Sequence, residues 1–532
     1  MFRLGFVIVV LLALSGCSLI NQAPAARFSV DVSEGQAPLR VVFDASGSSD
    51  PDGRVVQWQW DFGDGTSGTG VRVEHTYTAN GLFVVTLTVS DAAGARALER
   101  SSIVVGNPAP TARFGFSPNG GWVPLNVNFD AREANDPNGQ IVEYTWDFGD
   151  GKQGRGVQPS HVYARPGTYR VALSVTDDQG ATDATTHSVR ALSLNLERTW
   201  ATVDAPTALA VGDFNQDGFV DLVVSSSRND SVALVLGDGT GAFAPPREFA
   251  VGDNPRTLVA ADFNGDGVPD VASVHFDEGS ASILLGQRNG GLRRVETVQV
   301  GAWPFGLVAA DFNGDGQTDL VVTNAGGDSA MVFLNDGAAQ LSLASTVETG
   351  SWPGAAVAAD FNFDGQTDLA VANFFSDTVS IYLGEGDGRF SPRRDVAVGS
   401  QPISLALGDL NGDGAIDVAV ANSGENSVSF LINIGAGRFA LEELSDVGVR
   451  PWSVALNDLN DDGLLDLLVV NAGSGSLNAW LASEPLHFEQ RRGIGLGREP
   501  LALQAGDFDR DGVLEWVTVD FANDRLLLLD IE

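Results

Sequence analysis

From about residue 196 onward, short apolar runs alternate with acidic, glycine-containing loops at a period of 49 residues. In one period, Thr257–Ala261 is an apolar run (A) and Asp262–Asp270 an acidic loop. Val271–Phe276 (B), Ala281–Gly286 (C) and Leu292–Val300 (D) follow as further runs of strand length. Runs A and B are apolar on alternate and intervening positions alike, as expected for strands covered on both faces. Four such strands at a period near 50 predict one blade of a β-propeller. A proline ladder, Pro206, Pro255, Pro304, Pro353, Pro402, Pro451 and Pro500, keeps the register without insertion or deletion. The last period stops at Ile531-Glu532, after run C. Arg198-Thr-Trp-Ala201, before Pro206, matches Arg247-Glu-Phe-Ala250, before Pro255. An N-terminal strand is therefore expected to supply the missing D strand and close a ring of seven blades, residues 196–532, which removes exposed sheet edges.

Ahead of the repeats the pattern changes to short alternating strands with Gly/Asp turns, twice over. Residues 27–105 carry Ser49-Asp-Pro-Asp-Gly53, Trp58-Gln-Trp-Asp-Phe-Gly-Asp-Gly65, His75-Thr-Tyr77 and the strand Phe83–Asp91. Residues 111–191 repeat them as Asn135-Asp-Pro-Asn-Gly139, Trp146-Asp-Phe-Gly-Asp-Gly151, His161-Val-Tyr163 and Tyr169–Asp177. This pattern predicts two β-sandwiches, joined by the stiff linker Asn107-Pro-Ala-Pro110. The whole chain is thus expected to be all-β: two immunoglobulin-like β-sandwiches followed by a seven-bladed β-propeller. The twice-occurring Trp-Asp-Phe-Gly-Asp-Gly string resembles polycystic-kidney-disease (PKD) domains, an immunoglobulin-like family. Trp60 and Trp146 are expected to pack between sheets, and His75 and His161 to hydrogen-bond within the fold. Asp44-Ala-Ser46-Gly-Ser48 matches an adhesion-type metal motif, but that motif belongs to an α/β fold and the second module has Asp130-Ala-Arg132 instead.

Residues 1–16 read as a targeting segment. Arg3 precedes an apolar run, Leu4 to Leu14, too short for a membrane-spanning helix. Leu14-Ser15-Gly16-Cys17 resembles the lipobox of bacterial lipoproteins. The resemblance implies cleavage before Cys17 and lipid on that residue, with 17–26 as a tether and an envelope location, the outer membrane if the cell is Gram-negative. Cys17 is the single cysteine, which excludes disulfides. The net charge of −38 argues against nucleic acid or an anionic lipid surface as partner.

Much of that charge lies in the repeated loops, which follow Asp-x-Asn-x-Asp-Gly-x-x-Asp. Their oxygen-bearing positions are Asp213, Asn215, Asp217 and Asp221; Asp262, Asn264, Asp266 and Asp270; Asp311, Asn313, Asp315 and Asp319. The series continues with Asp360, Asn362, Asp364 and Asp368; Asp409, Asn411, Asp413 and Asp417; Asp458, Asn460, Asp462 and Asp466. The last loop departs from it, with Asp507, Asp509, Asp511 and Glu515. Carboxylate and amide oxygens around a Gly turn suit calcium, up to seven ions, and the lack of histidine or thiol disfavours zinc and copper. An EF-hand would need a bidentate Glu at position twelve, where this chain has Val224, Ser273, Val322, Val371, Val420, Val469 and Thr518. The loops instead resemble the FG-GAP/VCBS repeat family, including integrin α-subunit propellers. The resemblance implies those four positions as ligands in each loop.

If the acidic loops join A to B, the D–A and B–C turns occupy the other face. That face would carry Trp303, Phe305, Trp352, Arg450 and Trp452, with Phe374 and Phe375 nearby. A polar ladder of Ser226, His275, Asn324, Asn373, Asn422, Asn471 and Asp520 begins the B–C turns. Stacking and hydrogen bonding by these groups suit an extracellular glycan or protein ligand. The same tryptophans also suit wedging between blades, and the ladder suits satisfying its own turns. No nucleophile elbow, His-Glu-x-x-His or phosphate-cradling loop occurs. The expected function is a non-catalytic, lipid-anchored, calcium-binding adhesion or binding protein. The alternatives are a polysaccharide-active lyase or hydrolase, or a component of an envelope assembly.

Overall fold

The computed structural model describes residues 21–532; the apolar leader and Cys17 lie outside the described residues. Two compact units form. One holds most of the two sandwiches, and the other holds the repeat region together with Ser117–Val127 and His161–Tyr169. Every regular element among the described residues is a β-strand.

In the first sandwich, a five-stranded sheet runs in the order Glu34–Gly35, Arg96–Val105, Gly81–Asp91, Val55–Asp61, Ser67–Thr69. It faces a three-stranded sheet of Ser29–Val30, Leu39–Asp44 and Arg72–Tyr77. Inward residues of both sheets make one core, including Val41, Phe43, Trp60, Tyr77, Leu87 and Ile103. A buried indole N–H must find an acceptor. Trp60 Nε1 donates to Gly70 O at 2.9 Å, and Trp146 in the second sandwich to Gly156 O at 2.8 Å. His75 has a structural place: it stacks flat on Phe62 and reaches Asp64 Oδ2 at 2.6 Å. His161 meets Tyr163 edge to face. Asp44 accepts the Ser46 N–H in a local turn, and Asp130 pairs with Arg132.

The first sandwich starts earlier than residue 27. Asn21 Nδ2 donates to Asp91 Oδ2 at 2.7 Å, Gln22 N to Asp52 Oδ2, and Ala25 bridges to Ser49. Asn107 Nδ2 makes the equivalent bond to Asp177 in the second module. The residues from Asn21 onward thus belong to the first module, a polar side chain six residues before Arg27 closing its acidic turn.

The repeats form seven four-stranded antiparallel sheets. Blade 2 has strands A Pro255–Ala261, B Asp270–His275, C Ser280–Gln287 and D Gly291–Gln299. The other blades repeat these at the 49-residue spacing. Blade 7 comprises A Pro500–Gly506, B Glu515–Asp520 and C Arg525–Ile531, and its fourth strand is Leu194–Ala201. That N-terminal strand pairs antiparallel with strand C from Leu194↔Ile531 to Ala201↔Arg525. Each A strand contacts the next, and the A strand of blade 7 contacts that of blade 1, so the ring is closed.

Blade-to-blade packing follows from the period of two. In blade 4, Leu369 and Val371 of strand B join the core shared with blade 3, whereas Ala370 and Ala372 join the core shared with blade 5. All six residues of every B strand are buried. Each fully buried Val or Leu contributes about 1.5–3 kcal/mol, and because both faces are used, no one blade can be solvated without exposing two cores.

Each B strand ends on a buried polar residue, so the ladder from Ser226 to Asp520 faces the interior and not a ligand. Asn373 Nδ2 donates to Thr378 Oγ1 and Ser380 Oγ, and Asn422 Nδ2 to Ser427 Oγ and Ser429 Oγ. In blade 2 the position is His275, whose Nδ1 lies 2.8 Å from Ser280 Oγ while Nε2 is buried without a partner. Burial pushes the imidazole pKa down to about 4. The unfolded chain then takes up a proton before the folded one, so stability held above about pH 6.5 is lost as pH falls toward 4. Replacing His275 with Asn, the residue of blades 3–6, is expected to remove this sensitivity. Chemical denaturation at pH 7 and pH 4.5 should show the native chain losing more stability than H275N, by up to about 3 kcal/mol; equal losses would contradict the assignment.

Candidate metal centres and recognition face

Six loops share one internal geometry. In the first, Asp213 Oδ2 accepts the Gly218 N–H at 2.9 Å and Asp213 Oδ1 the Asp217 N–H at 3.1 Å. Asn215 Oδ1 accepts the Asp217 N–H at 2.9 Å, and Asp217 Oδ1 accepts the Phe219 N–H at 2.9 Å. The side chains at positions one, three and five are thereby turned inward by the loop's own amides. Gly218 takes a φ of 84°, which a residue with a side chain adopts at a cost.

The ninth residue is different, being fully buried. Asp221 Oδ2 accepts the Phe214 N–H at 2.9 Å, and Oδ1 accepts the Gly237 N–H at 2.8 Å from the end of strand C. Asp270, Asp319, Asp368, Asp417 and Asp466 make the same two bonds, with Gly286, Asn335, Gly384, Asn433 and Ala482 as the second donors. One carboxylate thus joins the start of the acidic loop to strand C. Burial raises its pKa, to about 6 at Asp221, Asp270 and Asp368 and to about 7 at Asp466, and the neighbouring loop carboxylates add to the rise. The second loop residue, Phe214, Phe263, Phe312, Phe361, Leu410, Leu459 or Phe508, is buried in every repeat and anchors the loop. The sequence itself carries this apolar position, Phe or Leu in all seven loops.

Neighbouring loops are also stitched together. Gln216 Nε2 donates to Gly267 O, Asn335 Nδ2 to Phe263 O, and Asn433 Nδ2 to Phe361 O. The first of these joins two acidic loops, and the other two tie strand C of blades 3 and 5 to the loops of blades 2 and 4.

The seventh loop departs from the other six. Asp507 accepts none of the loop amides that hold the first Asp elsewhere, and its Oδ1 is buried without a partner. Glu515 receives one backbone N–H, from Phe508 at 2.7 Å, and its pKa rises to about 7 through burial. Asp507, Asp509, Asp511 and Glu515 each offer an oxygen, all within 4.8 Å of one another. Among the described residues this is the one such group of carboxylates. The orphaned oxygen and the all-oxygen donor set fit a hard divalent cation.

On the opposite face, the candidate residues separate into three groups. Trp303 and Trp352 belong to a run of rings: Phe276 stacks on Trp303 at 6.1 Å, Trp303 meets Trp352 at 5.9 Å, and Trp352 meets Phe375 at 5.2 Å. Trp303 is 50% exposed and Phe375 59%. Phe305 and Trp452 instead line an axial cavity. Arg450 lies over the Trp452 ring at 5.9 Å. Both Trp303 and Trp352 have positive φ, but so do Ala205, Asn254, Gln401, Arg450 and Glu499 at the same step before each ladder proline. The turn conformation is therefore architectural; only the side chains single out these blades. Phe276 joins the run without any signal in the sequence, because nothing in a lone phenylalanine after His275 marks it as one end of an aromatic run.

With the fewest internal hydrogen bonds, the seventh loop should be the first to open without a cation. In chelator, hydrogen exchange at Asp511 and Gly512 is expected to be fastest among the seven equivalent sites, with the largest slowing when a divalent cation is restored. Uniform protection across the loops would contradict this.

Comparison with known proteins agrees with this architecture. The PKD domain family matches residues 21–105 and 107–191. The FG-GAP-like repeat family matches six overlapping windows from 213–273 to 458–518, which together take in all seven acidic loops and more than half of the chain. The pre-pro-metalloprotease PrtV of Vibrio cholerae is 34% identical over 179 residues, covering 33% of this chain and 18% of that protein. A microbial collagenase of Vibrio alginolyticus is 33% identical over 152 residues, covering 26% of this chain and 18% of the collagenase. The chain thus spans under a fifth of the length of these curated relatives, and the matches fall on its PKD-like portion. A crystal structure of BBS1N in complex with ARL6DN aligns with 63% of this chain and 96% of its own, at 13% identity and a TM-score of 0.47. The chain belongs to the FG-GAP-like repeat family, with two PKD domains ahead of the repeats.

Proposed function

We propose that this chain is a non-catalytic binding protein of the cell envelope, anchored by lipid on Cys17, whose propeller recognises extracellular glycan. The observation that carries the reading is the partly exposed aromatic run Phe276–Trp303–Trp352–Phe375. Flat, polarizable faces with a wet edge suit the C–H faces of sugar rings, and closely fixed rings lose little freedom on binding. Gly326 lies directly under Trp303: an added Cβ would come within 2.9 Å of the indole. The ring is thus held in place by backbone rather than by a mobile neighbour.

Calcium in the acidic loops would stiffen the other face, with the ligands at positions one, three, five and nine. Its role here is structural, because the loops lie at the end of each blade away from the aromatic run. The exchange experiment above, repeated with calcium and with magnesium, tests the ion: calcium should protect at lower concentration, since the loop offers more oxygens than magnesium's strict octahedron needs.

Two further measurements test the reading. Full-length chain in mild detergent and calcium is expected to bind members of a glycan panel. W303A and W352A together should weaken that binding at least tenfold, with the melting temperature little changed. A blank panel from folded protein would overturn the glycan reading and direct the search to protein partners. For the anchor, C17S is expected to move the protein from the membrane to the soluble fraction; unchanged membrane association would remove lipidation from the proposal.

A further inference from the structure

Strand A of every blade opens on a bulge just after its ladder proline; in blade 2 the register shifts between Pro255 and Thr257. A bulge re-aims the side chain it carries. The bulge residue of blade 2 is Arg256, and its equivalents are Thr207, Phe305, Gly354, Ile403, Trp452 and Leu501. All but Gly354 line a cavity of about 190 Å³ at the centre of the ring, to which blade 4 contributes Ala355 and Ala356. Arg256 is the one charged residue in that lining.

The surroundings leave this cation poorly compensated. No carboxylate lies within ion-pair distance of it among the described residues, and its Nε is buried without a hydrogen-bond partner. The guanidinium rests over the Phe276 ring at 5.3 Å. Asp277 acts on it only at longer range, and its Oδ2 already accepts from Asn254 Nδ2 at 3.0 Å. Burial lowers the Arg256 pKa, as for a cation held partly out of water. A half-buried charge with no counter-ion gains from a partner, and a guanidinium pairs best with a planar carboxylate through two parallel hydrogen bonds.

The rest of the wall is mostly apolar, with the hydroxyls of Thr207, Thr257, Ser404 and Ser453. Thr207 Oγ1 donates to Pro255 O and Thr257 Oγ1 to Phe305 O, so these hydroxyls are spent on backbone. Phe305, Leu307, Ile403, Trp452 and Leu501 supply the hydrophobic surface. An apolar cavity of about 150 Å³ is enough to hold benzene, so the space here suits a single ring or a branched aliphatic group.

We infer that the axial cavity binds a compact apolar carboxylate, whose acid group pairs with Arg256 and whose body lies among Phe305, Ile403, Trp452 and Leu501. This goes beyond the glycan reading and does not depend on it. The carboxylate can belong to a free small acid or to the C-terminal residue of a peptide.

The probes are 3-phenylpropionate and its uncharged amide, titrated calorimetrically into full-length chain in calcium. The acid is expected to bind at least tenfold more tightly than the amide, and R256M to reduce the acid to the level of the amide. Gly354→Ile, where an added Cβ meets nothing closer than 3.6 Å, should fill the cavity and abolish both. A peptide ending in Phe, with free and with amidated carboxyl, separates the sources: tighter binding of the free-acid peptide than of 3-phenylpropionate supports a peptide end, and the reverse supports a small acid. Equal binding of acid and amide, an unchanged affinity in R256M, or no saturable binding of the acid would each overturn the proposal. The W303A and W352A pair should leave acid binding unchanged, so failure here is distinct from failure of the glycan reading.

Discussion

One buried carboxylate per blade holds the repeat region in order. At the ninth loop position it accepts an N–H from the second loop residue and, in six blades, another from the end of strand C. Those two bonds fix where strand A ends, where strand B begins and how far strand C extends. Holding a carboxylate in an apolar interior is unfavourable, which is why its pKa rises in every blade. The buried oxygens are tolerated because backbone donors meet them, and the acidic side chains clustered next to them make a cation the natural complement.

That constraint divides the labour between the two faces. The acidic loops are stitched to their own amides and to neighbouring loops, leaving them little freedom to adapt to a ligand. The opposite face is built from turns whose backbone is equally fixed: in five blades an Asp or Asn of the preceding B–C turn accepts the N–H of the residue before the ladder proline. The side chains on these turns are free to vary because the turn does not rely on them. Aromatic rings concentrate on blades 2 to 4, and a single cation at the bulge of blade 2 lines the axial cavity. A rigid ring with variable turn residues is a scaffold on which recognition can change without loss of the fold.

The sandwiches solve the same problem with different groups. An indole between the sheets donates its hydrogen bond to a backbone carbonyl ten residues on, in both modules. A buried Asp after the long strand, Asp91 or Asp177, gathers turn amides and an Asn side chain from upstream. Here, too, a carboxylate satisfied by backbone donors determines where the domain begins.

The sequence by itself settled the strand order within a blade, the count of seven and the closing strand. Each follows from local periodicity and from a missing D strand whose match lies at Arg198–Ala201. It also placed the acidic side chains, because alternation around a Gly turn is a short-range property. It could not separate the seventh loop's open carboxylates from the six closed ones, since that depends on which amides a fold brings within reach. Nor could it tell that the polar ladder faces inward while Trp303 and Phe375 face water. Arg256, one residue from its proline, carried no signal at all: its partnerless guanidinium exists only where seven bulges, 49 residues apart in sequence, meet around one axis. Local chemistry is written along the chain, but which groups converge, and which are left unpaired, is decided by ring closure.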